Sequence, residues 1–142
     1  MLVDTHSHIQ LDDYRDNRDE VLTRAHDAGV VMMAVGVDVP SSEAAIKLAQ
    51  SHDDVFATVG LHPHDAAGEK GQIADEDVMK LKELASDPSV LAIGECGLDY
   101  GKSGIAEEAD KLRQKKDFEA QIDFAVRHDK PLMLHIRNAH ND

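Results

Sequence analysis

A single cysteine, a shortage of basic residues and the absence of any long apolar run set the first limits on this chain. One thiol, Cys96, cannot close an internal bridge. The N-terminus runs directly into an apolar strand, with neither a basic n-region nor an apolar h-region ahead of it. A reducing, cytoplasmic setting is the simplest expectation. The longest apolar stretch, GVVMMAVGV from Gly29 to Val37, is far too short to cross a bilayer, so no membrane partner is expected. Lysine and arginine total 15 against 28 aspartates and glutamates, a formal charge of -13. So acidic a surface repels nucleic acid at long range, which disfavours a protein that coats DNA electrostatically. It leaves room for an enzyme that grips one phosphate in a cleft where bound cations reverse the local field. No low-complexity segment or shift in composition marks a boundary, and residues 1–142 read as a single domain. With 42% hydrophobic residues the chain can form a core without disulfides.

Hydrophobic periodicity divides the sequence into alternating strands and helices. Strands are expected at Leu2–Ile9, Val30–Val37, Val55 to about His62, Val90–Glu95 and from Pro131 onward. Amphipathic helices are expected in RDNRDEVLTRAHDAG, from PSSEAAIKLAQ, in DEDVMKLKELA and from Ala106 to about His128. Gly29 falls where the first helix needs a left-handed residue. Ser41 or Ser42 is the expected N-cap of the second, and CGLDYGKSG reads as loop. Strands recur about every thirty residues with a helix in each interval, the spacing of successive βαβ units. A doubly wound open sheet and a (β/α)8 barrel both fit that rhythm, and the polar residues choose between them. His6, His8, His62, His64, Glu95, His135 and Arg137 all fall at or just past the C-terminal ends of four strands. A closed ring aims all its strand ends at one point, whereas an open sheet focuses only those near its switch point. The expected fold is therefore an α/β (β/α)8 barrel, present only as its first five strands, because eight units need roughly 250 residues. Such a portion exposes the edge of its last strand, and self-association through that open edge is the matching expectation.

Asp4, His6 and His8 alternate along the first strand and so share a face. Two imidazoles converging inside a barrel mouth cost desolvation unless something binds them, and neutral imidazole is the commonest metal-binding side chain. An arbitrary HxH is more often a hydrogen-bonded pair; its position at the start of a βα series turns the balance toward metal. Glu95 leaves the fourth strand at the same level, where a carboxylate can bridge two ions, and His135 leaves the fifth likewise. Three nitrogen donors and one oxygen donor around one point suit Zn²⁺, Mn²⁺ or Mg²⁺ with positions open to water. Arg137, two beyond His135, shares its face and suits a bidentate phosphate contact. His26, His52 and His128 read as solvated or capping residues, Cys96 as a small packing residue, and the run EEADKLRQKKD as a solvated helix face. Asp99 and Tyr100 divide evenly between bordering a substrate and stabilising a loop.

Four segments in order, DTHSHI at Asp4–Ile9, VGLHPHD at Val59–Asp65, AIGECGLDY at Ala92–Tyr100 and PLMLHIRNA at Pro131–Ala139, with RDEVLTRAHDAGV between the first two, resemble the TatD family of metal-dependent hydrolases and deoxyribonucleases. The resemblance implies a TIM barrel that hydrolyses phosphodiester bonds in DNA through metal-activated water. It implies two divalent ions, Mg²⁺, Mn²⁺ or Zn²⁺. By position, His6 and His8 would ligate one metal, Glu95 would bridge both and position the water, and His135 would ligate the second. His62 and His64 would line the substrate site beside Arg137, with DNA as the partner. In such proteins a further histidine and an aspartate come from later strands, beyond Asp142 here. Gln10 stands where aspartate or asparagine is more usual, and Asn141 where an acidic residue is usual. Two other readings compete. HxH on a first barrel strand also begins the amidohydrolases, although their dinuclear members commonly bridge metals with a modified lysine from the fourth strand, where this chain offers Glu95. The third reading is a catalytically incomplete metal-binding fragment.

Overall fold

The computed structural model describes residues 2–64, 75–101 and 108–142. Asp65, the GEKG loop, Lys102 to Gly104 and the expected helix start at Ala106 lie outside the described residues. Five strands, β1 (Leu2–Ser7), β2 (Val30–Val35), β3 (Val55–Val59), β4 (Val90–Asp99) and β5 (Leu132–Arg137), alternate with four helices, α1 (Arg18–Asp27), α2 (Val39–Ser51), α3 (Asp75–Leu84) and α4 (Glu108–Arg127). Every neighbouring pair of strands is parallel, and their spatial order is their chain order. A doubly wound sheet must reverse its order at a switch point; this one never does. The five strands form a curled half-barrel, as the placement of the polar strand ends implied.

The central strands are covered on both faces, which is why they read as unbroken apolar runs. Ala34 of β2, Ala57 and Val59 of β3, and Val90 and Ile93 of β4 are buried with Leu22 of α1, Ala45 and Ile46 of α2, Leu81 of α3 and Phe124 and Ala125 of α4. The two outer strands differ: Leu2 and Val3 on β1 and Leu134 on β5 are exposed. Among the described residues no helix is long and apolar enough to cross a membrane.

Local chemistry follows the sequence with two corrections. Gly29 takes φ 67° just past α1, as expected. The N-cap of α2, however, is Asp38 rather than either serine. Its carboxylate accepts the Ser41 N–H at 2.7 Å while its own N–H donates to the Ser41 hydroxyl at 3.0 Å, a reciprocal box that places both serines inside the first turn. Pro40 is accommodated in that turn, where an N–H would have no helical partner. The second correction concerns β4, which does not end at Glu95 but continues through Asp99. Its pairing with β5 steps from Ile93 opposite Leu132 to Cys96 opposite Leu134, three residues against two, and then runs in register to Asp99 opposite Arg137. That is a bulge at Gly94–Glu95. A Cβ on Gly94 would meet the Met133 carbonyl oxygen at 2.3 Å, and one on Gly97 would meet that of His135 at 2.1 Å. The glycines that resemble turn signals in GECG therefore serve close approach of two strands. A similar shift on β1, between Asp4 and Ser7, breaks the strict alternation of the first motif, and the Asp4 carboxylate accepts the His6 N–H at 3.1 Å.

Candidate active site

The bulge on β4 delivers Glu95 into the mouth of the half-barrel, where its two carboxylate oxygens face opposite groups of histidines. Oε2 lies 3.2 Å from His6 Nε2 and 3.6 Å from His8 Nε2. Oε1 lies 2.9 Å from His135 Nδ1 and 4.0 Å from His62 Nε2. Glu95 is buried, and a buried carboxylate is costly unless cations or donors surround it. Two donor sets result, His6–His8–Glu95 and His62–Glu95–His135, each with its donor atoms within 4.8 Å of one another. Nitrogen and oxygen donors at this spacing, sharing one carboxylate, fit a pair of divalent ions.

Hydrogen bonds behind the rings decide which nitrogen each can offer. His8 Nδ1 donates to the Val35 carbonyl at 2.9 Å, so the lone pair of the neutral ring is on Nε2, toward Glu95. The buried Gln10 amide donates to the same carbonyl at 2.7 Å, so the residue that departs from the usual first motif braces the strand end behind His8. His135 divides its nitrogens between two carboxylates, Nδ1 toward Glu95 and Nε2 toward Asp99 Oδ2 at 2.9 Å. His62 differs: its Nδ1 accepts the His64 N–H at 3.2 Å, which puts the proton of the neutral ring on Nε2. That nitrogen is a donor in this tautomer, in keeping with a substrate-facing role, and becomes a ligand only on losing its proton. Burial, reinforced by the neighbouring His135, lowers the His62 pKa from 6.5 to about 4 and keeps the ring neutral.

Arg137 and His64 converge from β5 and from the loop after β3. Arg137 directs Nε and Nη2 at Asp99 Oδ1 and Oδ2, 2.7 and 2.5 Å away, and its Nη2 lies 3.3 Å from His64 Nε2. The fork expected to clasp phosphate is thus engaged with an internal carboxylate through Nε and Nη2. His64 Nε2 is itself 2.9 Å from Asp99 Oδ2. Asp99 is fully buried. Burial alone would raise its pKa, but hydrogen bonds from Arg137, the Gly101 N–H and His135 outweigh that and hold the carboxyl well below the usual range.

Two glutamines of α4 clip the backbone beneath these side chains. Gln114 accepts the Asp99 N–H at 2.8 Å and donates to the Asp99 carbonyl at 3.1 Å. Gln121 does the same for Leu61, one residue before His62, at 2.8 and 3.0 Å. Gln114 belongs to the run read as a solvated helix face, and its burial corrects that reading. The detectable signal was the seven-residue interval between two neutral amides on one helix, two turns apart on one side. His26, His52 and His128 stay away from the site: His26 pairs with Asp54 at 2.9 Å, His52 closes the C-terminus of α2, and His128 stands edge-on to Phe124. Cys96 packs as expected; burial, with a smaller push from Glu95, raises its thiol to about 12, so it is no nucleophile.

Comparison with known proteins bears on the same residues. The sequence model of the family described as TatD related DNase matches residues 3–142. The chain is 38% identical over 128 residues to a 3'-5' ssDNA/RNA exonuclease TatD of Shigella flexneri, covering 89% of this chain and 46% of that protein. It is 35% identical to an uncharacterized metal-dependent hydrolase, YabD, of Bacillus subtilis, covering 100% of this chain and 53% of the relative. The crystal structure of YjjV, a TatD homolog from Escherichia coli, superposes with a TM-score of 0.82 at 26% identity, over 99% of this chain and 52% of that one. The chain thus spans about half the length of the relatives it matches.

Proposed function

This chain belongs to the TatD-related DNase family, and from that premise we propose that it forms the metal-binding half of a nuclease that hydrolyses phosphodiester bonds in DNA. The observation that carries the proposal is the division of Glu95 between two histidine groups, one oxygen to each. His6, His8 and Glu95 would hold one divalent ion; Glu95 and His135 would hold a second, with His62 beside it. When bound, a pair of such ions acidifies water and offsets the charge developing on the attacking and leaving oxygens of an in-line displacement. The remaining tasks fall to this chain's own side chains. His62, with its proton on Nε2, donates into the mouth, and the Arg137 guanidinium offsets the charge of a non-bridging phosphate oxygen. His64, next to Arg137, narrows the same side of the cleft. Divalent ions held by these residues would also reconcile a formal charge of -13 with binding a polyanion, by confining the attraction to the cleft.

Single-stranded DNA shortened from its 3' end is the substrate suggested by the name of the Shigella relative. The test is a labelled single-stranded oligonucleotide incubated with the protein and Mn²⁺ or Mg²⁺, with and without EDTA. Stepwise, EDTA-sensitive shortening is expected. Metal-dependent hydrolysis of amides with no cleavage of the oligonucleotide would replace this reading with the amidohydrolase one; ion binding without turnover would identify a metal-binding fragment.

A further inference from the structure

Asp99 lies beside the site, fully buried, at the end of β4 and directly opposite Arg137 in the sheet register. A plain buried ion pair with Arg137 would account for one side of its carboxylate. It does not account for the rest. Oδ2 also accepts from His135 Nε2 at 2.9 Å and lies 2.9 Å from His64 Nε2, while Oδ1 accepts the Gly101 N–H at 3.0 Å. Both backbone groups of the residue are tied to Gln114 at 2.8 and 3.1 Å, so the carboxylate is held from behind as well. Few rigid anchors could be better placed to set the rings around it.

We propose that Asp99 is a positioning residue that fixes His135 as the Nε2–H tautomer with Nδ1 directed at Glu95, and fixes Arg137 and His64 through the same two oxygens. This rests on the dinuclear reading above. The reasoning is that of a carboxylate behind a ligating imidazole: an acceptor on one nitrogen keeps the proton there, frees the other for a cation and strengthens it as a donor. Here the one carboxylate does this for His135 while holding the Arg137 guanidinium through Nε and Nη2. The second cation position and the phosphate-facing side chains are therefore set together. The first group, His6 and His8, has no contact with Asp99 and takes its orientation elsewhere, from the Val35 carbonyl in the case of His8.

Two measurements test this, and neither depends on turnover. Nitrogen–proton NMR correlations of His135 in the unsubstituted protein loaded with Zn²⁺ should show Nδ1 bound to the ion and Nε2 carrying the proton; ligation through Nε2 would overturn the role outright, whatever any variant does. Calorimetric titration of Asp99→Asn with Mn²⁺ should show one of two binding events weakened by about 10- to 100-fold and the other unchanged. Equal weakening of both events would mark a merely structural carboxylate, and no change in either would also sink the proposal. If the unsubstituted protein takes up no divalent ion, the dinuclear reading fails and this inference with it. If it takes up two and His135 ligates through Nε2, only the positioning role falls.

Discussion

His6 stands on the outer strand β1 and His8 just past its end, with side chains 37% and 34% exposed, whereas His62 and His135 lie deeper, at 13% and 22%, on the other side of Glu95. Behind the first pair there is little: the Val35 carbonyl, Gln10 and a strand whose Leu2 and Val3 face solvent. Behind the second pair stand Asp99, Arg137, His64 and the amides of Gln114 and Gln121. The contrast is not one of central against edge strand, because His135 stands on β5, the other outer strand. It comes from what the neighbouring elements carry: the register of β4 on β5 brings Asp99 beside His135 and Arg137, and α4 lays Gln114 and Gln121 against the backbone, whereas the first pair meets the Val35 carbonyl and Gln10.

Glu95 is the only residue common to both groups, and replacing it breaks the comparison most completely. Glu95→Gln keeps the volume but turns one oxygen into an N–H donor facing histidine nitrogens. Binding of Mn²⁺ is expected to fall at both positions by more than about a hundredfold, beyond the loss from removing an outer partner of a ligand, and cleavage of the oligonucleotide should fall with it. The metal-free fold should be no less stable, because a buried charge has been removed. Calorimetric titration beside urea unfolding checks both parts. Retention of either ion at its original affinity would mean that the two groups are independent sites that merely adjoin.

How much of this was readable in the sequence also divides along the same line. The outer group was plain: HxH on the first strand is a local pattern, and period-two reasoning brings its rings together even though a shift on β1 spoils the strict alternation. Glu95 and His135 were readable because strand ends in a singly wound sheet converge. Asp99 was not, since the glycines on either side of Glu95 and Cys96 imitate a turn, and only the pairing to β5 shows that the strand continues beyond the bulge. The role of Arg137 was half legible. Its type and face were right for an anion, but which anion takes its fork depends on Asp99, placed opposite it by a register that no local pattern reveals. Gln114 was hidden for a third reason: polar residues in a charged run look solvated until something polar, here the Asp99 backbone, is brought beneath them.

Gln121 tests whether the bracing of the deeper group is a matter of backbone as well as side chains. Gln121→Leu fills the space but leaves the Leu61 N–H and carbonyl without their side-chain partner. Orphaned buried groups cost about 1–3 kcal/mol each, so a thermal midpoint several degrees lower is expected, with the His6–His8 ion bound as before. An exposed α4 residue such as Lys116, changed to alanine, should shift stability by no more than about 0.5 kcal/mol. If Gln121→Leu is equally silent, the amide clip is incidental and the deeper group is held by Asp99 alone.

A smaller effect should separate the two regions by pH. Burial and the adjacent His135 lower the His62 pKa from 6.5 to about 4 in the folded chain. Between those values the unfolded chain binds a proton at this ring that the folded chain does not, so stability rises with pH across the window and is lost as pH falls through it. Below about pH 4 both states carry the proton and the loss levels off, at no more than about 3 kcal/mol for a shift of this size. His62→Gln removes the titration while keeping a polar side chain at the mouth. Urea unfolding of the metal-free protein at successive pH values should therefore give the variant a shallower slope from pH 6.5 to 4 and the same slope above it. Parallel curves throughout that range would mean that the ring is as accessible to protons folded as unfolded, and that the deeper group is no better shielded from water than His6 and His8.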